Sequence, residues 1–118
     1  MFGRLLRFLR LYPQSRKQQE YPALARLMLA YLHQDRNMET DTIPEVIANY
    51  ARSHAADREQ LLRDMEEFTQ RFRDCLNEAF VKWWQLHIEM GKNPKTAVQF
   101  FDMIRSIVAN PEGYWRFE

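Results

Sequence analysis

A chain of 118 residues fits one domain, and 46% hydrophobic residues with 14% aromatic residues fill one core and exclude an intrinsically disordered chain. Three glycines and five prolines leave little material for hairpin turns, and a single cysteine excludes an internal disulfide framework. Composition and the helical patterns along the chain together predict an all-α fold, a single-domain helical bundle of about five or six helices over residues 1–118. The lone cysteine also favours a reducing, cytoplasmic location.

The net charge of +1 is unevenly distributed along the chain. Residues 1–19 carry five basic residues and no acid, which leaves 12 basic and 16 acidic residues, a net charge of −4, in residues 20–118. This mildly acidic body argues against direct nucleic-acid binding and favours a basic partner. No apolar run reaches the roughly 18–20 residues of a membrane span. Arginines interrupt the first apolar runs too often for a secretory signal.

Residues 2–11 predict a basic amphipathic helix with a period of about 100° per residue. One arc carries Phe2, Leu5, Leu6 and Leu9, and the opposite arc carries Arg4, Arg7 and Arg10. Such a helix either docks its leucines on the protein core or lies on an anionic membrane surface. Pro13 ends the pattern.

A second helix is predicted from about Pro22 to His33, because proline at the first helical position loses no hydrogen bond. Its apolar face carries Leu24, Leu27, Met28 and Tyr31. After a polar turn, Thr42-Ile-Pro-Glu45 has the form of a capping box and predicts a helix over about 43–53. The apolar face of that helix carries Val46, Ile47 and Tyr50.

Asp57, with Gln60 three residues later, predicts the next helix start. Apolar residues then recur at helical spacing to position 90, but one helix over 58–90 would be about 50 Å long. A compact domain of this size is about 35 Å across, so a break is predicted near Asn77. Cys75 lies on the apolar stripe and is predicted to be a buried small hydrophobe, not a nucleophile.

The same segment predicts surface charge pairs and one buried tryptophan. Asp64, Glu66 and Glu67 alternate with arginines, which predicts helix-surface pairs such as Glu67–Arg71. The neighbouring Trp83 and Trp84 point about 100° apart on a helix, so one is expected in the core and the other partly exposed.

The last predicted helix starts at Asn93-Pro94 and runs over about 94–109. Its apolar side carries Val98, Phe101, Ile104, Ile107 and Val108. The aromatic residues of 113–117 are expected to pack back on the body.

No motif in the chain predicts a catalytic residue, a metal site or a cofactor. The three histidines, His33, His54 and His87, each stand alone, and no HxxxH or CxxC spacing occurs. We therefore expect that the protein is not an enzyme. His33 and Gln34 are predicted to hold the turn after the second helix. The acidic segment, defined as residues 35–45 with Asp35, Glu39, Asp41 and Glu45, is the best candidate surface for a basic partner.

Three stretches together resemble the immunity proteins of bacterial contact-dependent growth inhibition systems. They are Tyr21-Pro-Ala-Leu, Tyr31-Leu-His-Gln-Asp35 and Thr42-Ile-Pro-Glu-Val-Ile47. The match is clear over about 20–52 and continues as a helical pattern to about 70. Arg36 stands where this family commonly has tryptophan, and the chain beyond about 72 departs from the family's pattern.

The resemblance implies a non-enzymatic role and a toxin as partner. Such a protein binds the C-terminal toxin domain of a large exported effector, in the cytoplasm, and many of these toxins are nucleases. The toxin-binding residues would be Asp35, Glu39, Asp41 and Glu45, presented by the turn at His33 and Gln34. The alternative is a helical adaptor or peripheral membrane-surface protein that uses residues 2–11. The oligomeric state stays open.

Overall fold

The computed structural model of the protein describes residues 19–35, 42–84 and 96–118, and of residues 33–35 the backbone alone. Its helices are α1 (Pro22–Ala25), which continues as a π-helix (Arg26–Asp35), α2 (Ile43–Ser53), α3 (Arg58–Arg71), α4 (Leu76–Trp84) and α5 (Ala97–Ala109). Short 3-10 helices occupy Ala55–Asp57, Arg73–Cys75 and Pro111–Phe117. The described ranges contain no strand, so the all-α, single-domain prediction is confirmed. The helix predicted over 2–11 lies outside these ranges.

Helix α2 lies at the centre of the fold, packed against the π-helix, α5 and the C-terminal 3-10 helix. Its predicted bounds are confirmed, and so is its apolar face, since Val46, Ile47 and Tyr50 are all buried. Thr42 caps it as predicted, because the Thr42 hydroxyl accepts the N–H of Glu45 at 3.2 Å. Each large apolar side chain removed from water here contributes about 1.5–3 kcal/mol.

The helix predicted near 22–33 is confirmed, but most of it is π-helical. Its predicted face is buried at Leu24, Leu27 and Met28 and half-buried at Tyr31. Leu29 and Leu32 are buried as well. The apolar surface therefore extends around most of the helix, which matches its position inside the bundle.

The first N–H groups of α1 are capped by a residue of another helix. Pro22 has no N–H, and the next two N–H groups, of Ala23 and Leu24, donate to Oδ2 of Asp64 at 2.8 and 3.0 Å. Nε2 of Gln60 donates to the other carboxylate oxygen at 2.7 Å. Asp64 is completely buried, so its interpretation as a surface charge is wrong. All its partners are donors, as a buried carboxylate requires.

The predicted break in the long helical segment is confirmed, but it lies before Asn77. Helix α3 ends at Arg71, and Phe72 leaves the helical conformation with φ −112° and ψ 31°. A 3-10 turn over Arg73–Cys75 then leads into α4. This turn rotates the chain, so Cys75 leaves the apolar stripe and is exposed. The prediction of a buried Cys75 is therefore wrong.

An aromatic cluster joins α1, α3, α4 and α5 around Phe68. The ring of Phe68 lies 5.4 Å from Tyr21, 5.8 Å from Trp84 and 6.1 Å from Phe101, measured between centroids. Trp84 is fully buried and Trp83 half-buried, which confirms the prediction for the pair. Phe68 is the residue that connects the four helices.

Arg71 closes the edge of this cluster and does not pair with Glu67 as predicted. Its Nη1 lies 2.7 Å from a carboxylate oxygen of Glu20 and 3.2 Å from the hydroxyl of Tyr21. Its guanidinium carbon lies 5.0 Å from the ring centroid of Trp83. The arginine therefore covers aromatic surface, a stronger reason for its orientation than an exposed pair along one helix.

Helix α5 begins at Ala97, three residues later than predicted, because Thr96 is its N-cap. The Thr96 hydroxyl accepts the N–H of Gln99 at 3.1 Å, and Oδ1 of Asn77 accepts the N–H of Ala97 at 2.8 Å. The predicted start at 93–94 lies outside the described residues.

The apolar side of α5 is confirmed except at its first position. The buried residues of the predicted set are Phe101, Ile104, Ile107 and Val108. Val98 is 52% exposed, so its assignment to the core is wrong.

The C-terminal 3-10 helix, Pro111–Phe117, folds back along α2 and α5, as predicted for the aromatic end of the chain. Tyr114 and Phe117 pack against the core. Trp115 remains outside this contact and is 62% exposed.

Candidate functional site

The structure describes one side chain of the predicted acidic segment in full. Glu45 lies in the first turn of α2 and is half-buried. The side chains of His33, Gln34 and Asp35 are outside the described part, although their backbone continues the π-helix. Glu39 and Asp41 lie outside the described residues. Their part in a binding surface stays a prediction.

The N-terminal end of α2 places Glu45 where a negative charge is favoured. The unpaired N–H groups of a first helical turn carry a partial positive charge, which attracts a carboxylate. The N–H of Glu45 itself is satisfied by Thr42, so the Glu45 carboxylate is not needed for the cap. A partner can therefore bind the Glu45 carboxylate without breaking the cap hydrogen bond.

The C-terminal 3-10 helix brings two further acids to the same side of α2. The Thr42 hydroxyl donates to the carboxylate of Glu118, next to the start of α2. Nε of Arg52, near the end of α2, lies 3.3 Å from the carboxylate of Glu112. The 3-10 helix therefore runs antiparallel to α2, with an acid at each end. Sequence reasoning missed both acids, because no local pattern places the C-terminal segment against α2.

A second polar cluster joins the π-helix to the start of α3. The Tyr31 hydroxyl lies 2.9 Å from Nε2 of His54, and Nδ1 of His54 lies 3.9 Å from the carboxylate of Asp57. Arg26 forms an ion pair with the same carboxylate. Asp57 stands at the N-cap of α3, which confirms the predicted helix start, but its side chain makes no cap hydrogen bond. Its carboxylate is taken by Arg26 instead.

Tyr50 lies under this cluster, with its ring centroid 5.1 Å from that of His54. Burial, with a smaller contribution from the negative charge of Asp57, holds the pKa of Tyr50 well above its usual value. The hydroxyl therefore stays protonated at neutral pH and donates to the carbonyl of Ala23 at 3.4 Å. Because these groups face one another, the cluster connects helices and presents no free general base.

A cavity of about 310 Å³ opens where the end of α2 meets the start of α3 and the end of α5. Leu61 and Val108 contribute to its apolar wall, Arg52 and Arg58 supply its cationic groups, and His54 also lines it. No carboxylate is among its described lining residues. The cavity therefore does not suit a basic partner, and its histidine is already engaged by Tyr31.

Among the side chains that the structure describes, no three His, Cys, Asp or Glu residues are placed to hold a metal ion. Nor does any helix in the described ranges have the length and apolarity to cross a membrane.

A family model described as CdiI immunity protein matches residues 20–108. This match includes the stretches in which the sequence resemblance was found and continues through α4 and most of α5. The expectation that the chain departs from the family pattern beyond about 72 is therefore wrong. No curated protein and no solved structure matches the chain.

Proposed function

Because this chain belongs to the CdiI immunity protein family, we propose that it binds and neutralises the toxin domain of a cognate contact-dependent growth inhibition effector. The family match over residues 20–108 is the observation that carries this proposal. An immunity protein works by binding, which is a non-enzymatic role. The exposed, unpaired Cys75 fits action in the reducing cytoplasm, where the toxin would be met.

The acidic segment is the surface that we assign to the toxin. Asp35, Glu39, Asp41 and Glu45 lie close together in sequence, and Arg36 is the only basic residue among them. The position of Glu45 at the start of α2, with its carboxylate free of the cap, supports this assignment. Complementary charge raises the association rate and rejects wrong partners.

We further propose that the toxin is a nuclease. A nuclease binds phosphates through a basic surface, and a cluster of carboxylates competes for that surface. The net charge of −4 in residues 20–118 supports this partner. The interaction should weaken as ionic strength rises, because exposed charges are screened beyond a Debye length of about 8 Å at 0.15 M salt.

The decisive experiment measures affinity for the toxin domain encoded directly upstream of this chain's gene. A triple variant, Glu39→Lys, Asp41→Lys and Glu45→Lys, should bind at least about a hundredfold more weakly, mainly through slower association. The matched control reverses three exposed acids elsewhere, Glu59, Glu67 and Glu78, with an equal change in net charge. The control should bind like the wild type.

Two results would contradict these proposals separately. If the wild-type chain neither binds that domain nor protects cells from it, the proposed function is wrong. If binding is tight but the folded triple variant keeps its affinity, the acidic segment is not the interface. Nuclease assays of the free toxin domain test the proposal that the toxin is a nuclease.

A further inference from the structure

Trp115 is an exposed aromatic side chain on the C-terminal 3-10 helix. It is 62% exposed, and Val98 is the other large hydrophobic residue of the described ranges that is exposed. An exposed tryptophan contributes little to the core of the monomer, and tryptophan is enriched among interface anchors. Its exposure therefore needs a reason outside the monomer's own core.

The backbone that carries Trp115 is held at both ends. Tyr114 and Phe117, its neighbours on the inner side, pack against the core. Glu112 contacts Arg52 and Glu118 contacts Thr42, so the whole 3-10 helix is attached along α2. A side chain on such a backbone is presented in a fixed place, which lowers the entropy lost on binding.

Acidic residues flank Trp115 in the chain, and the guanidinium carbon of Arg116 lies 5.7 Å from its ring centroid. Glu112 and Glu118 lie three residues before and after Trp115. Glu118 reaches Thr42, which lies within the acidic segment, three residues before Glu45. The segment that carries Trp115 therefore reaches the start of α2 through Glu118.

We propose that Trp115, with Glu45, Glu112 and Glu118, forms a tail surface that anchors the basic toxin domain. This inference rests on the proposed function and extends it to a second contact region. The tryptophan ring enters an apolar depression on the toxin, and the three carboxylates contact lysine or arginine side chains at its rim. An aromatic anchor inside a charged rim is the usual arrangement of a strong protein interface.

The test compares Trp115→Ala with Val98→Ala in binding to the toxin domain encoded directly upstream of the gene. Trp115→Ala should weaken binding at least about thirtyfold, mainly through faster dissociation. Val98→Ala removes the other exposed apolar side chain and should leave affinity unchanged. Trp115→Phe should recover part of the loss, because it keeps an aromatic ring.

A second measurement needs no variant. Amide hydrogen exchange of the wild-type chain should slow in residues 111–118 when the toxin domain is added. If the wild type binds the toxin but Trp115→Ala binds equally well and 111–118 gain no protection, the tail surface is wrong while the proposed function stands. Equal losses of affinity in Trp115→Ala and Val98→Ala would also overturn the proposed tail surface.

Self-association is the competing explanation for the exposed ring. Sedimentation of the free chain should show a monomer whose mass does not depend on Trp115. A dimer that Trp115→Ala dissociates would assign the ring to a second copy of this chain and overturn the proposal.

Discussion

The carboxylate of Asp64 accepts the backbone N–H of Ala23 at 2.8 Å, across 41 positions of the sequence. Asn77 does the same for α5, since its Oδ1 accepts the N–H of Ala97 at 2.8 Å. In both cases a side chain of the 58–84 segment satisfies the first N–H group of a helix elsewhere in the chain. These contacts fix the ends of α1 and α5 relative to α3 and α4.

Replacing Asp64 by Ala should destabilise the protein by roughly 3 kcal/mol, because two buried N–H groups and the Gln60 amide lose their acceptor. Urea unfolding followed by circular dichroism measures this change. Asp64→Asn keeps one acceptor oxygen and should cost about half as much. Glu67→Ala, an exposed acid on the same helix, should stay within about 0.5 kcal/mol of wild type. Equal effects of Asp64→Ala and Glu67→Ala would contradict the buried cap.

Replacing Asn77 by Ala should cost about 1 kcal/mol, the usual value of a lost helix cap. Asn77→Asp keeps an acceptor and places a negative charge at the start of α5, where it is favoured by about 0.3–1 kcal/mol. We therefore expect Asp at this position to equal or exceed the wild type in unfolding free energy. A destabilised Asn77→Asp variant would show that Asn77 acts in some other way.

Tyr31→Phe should lower the unfolding free energy by about 1 kcal/mol, because the hydroxyl bond to Nε2 of His54 is lost. The matched control is Tyr114→Phe, which removes a hydroxyl that makes no hydrogen bond with the described residues. Its effect should be within about 0.5 kcal/mol. Equal stabilities of the two variants would mean that the Tyr31–His54 contact contributes nothing.

Alkaline pH should destabilise the protein through Tyr50. Its pKa is raised above the usual 10.0 in the folded state, mainly by burial. Above pH 10, the unfolded chain releases the Tyr50 proton while the folded chain retains it, so stability falls as pH rises. The stability that the protonated Tyr50 contributes is fully present below the usual pKa of 10.0 and decreases by up to about 1.4 kcal/mol per pH unit above it.

Urea unfolding of wild type and Tyr50→Phe from about pH 8 to about pH 11 isolates this contribution from the other tyrosines. The wild type should lose more stability than the variant over this interval. Parallel curves for the two proteins would contradict a raised pKa at Tyr50.

The start of α2 was predictable from sequence, whereas the start of α5 was not. Thr42 caps α2 through a neighbour three residues away, so the whole interaction lies within one short pattern. For α5, Asn93-Pro94 and Thr96 both have the residue types of a helix start. The structure begins the helix after Thr96, where Asn77 adds a second acceptor from another helix.

Asp64 could have been identified from its position, although its residue type pointed to the surface. It lies three residues after Leu61 and four before Phe68, on the buried stripe of α3. A carboxylate at such a position needs buried donors, and only the approach of α1 supplies them. Cys75 is the opposite case. Its spacing predicts a position on the buried stripe, but the 3-10 turn leaves it exposed.

The sequence by itself determined the helical class, most of the apolar core and the family, because these depend on composition and on patterns within a few residues. The tertiary structure decided which polar groups meet: Asp64 with α1, Asn77 with α5, and Glu118 with Thr42 beside the exposed Trp115. Those partners lie between 20 and 76 positions apart. Contacts of that separation form only when helices pack, so no local pattern contains them.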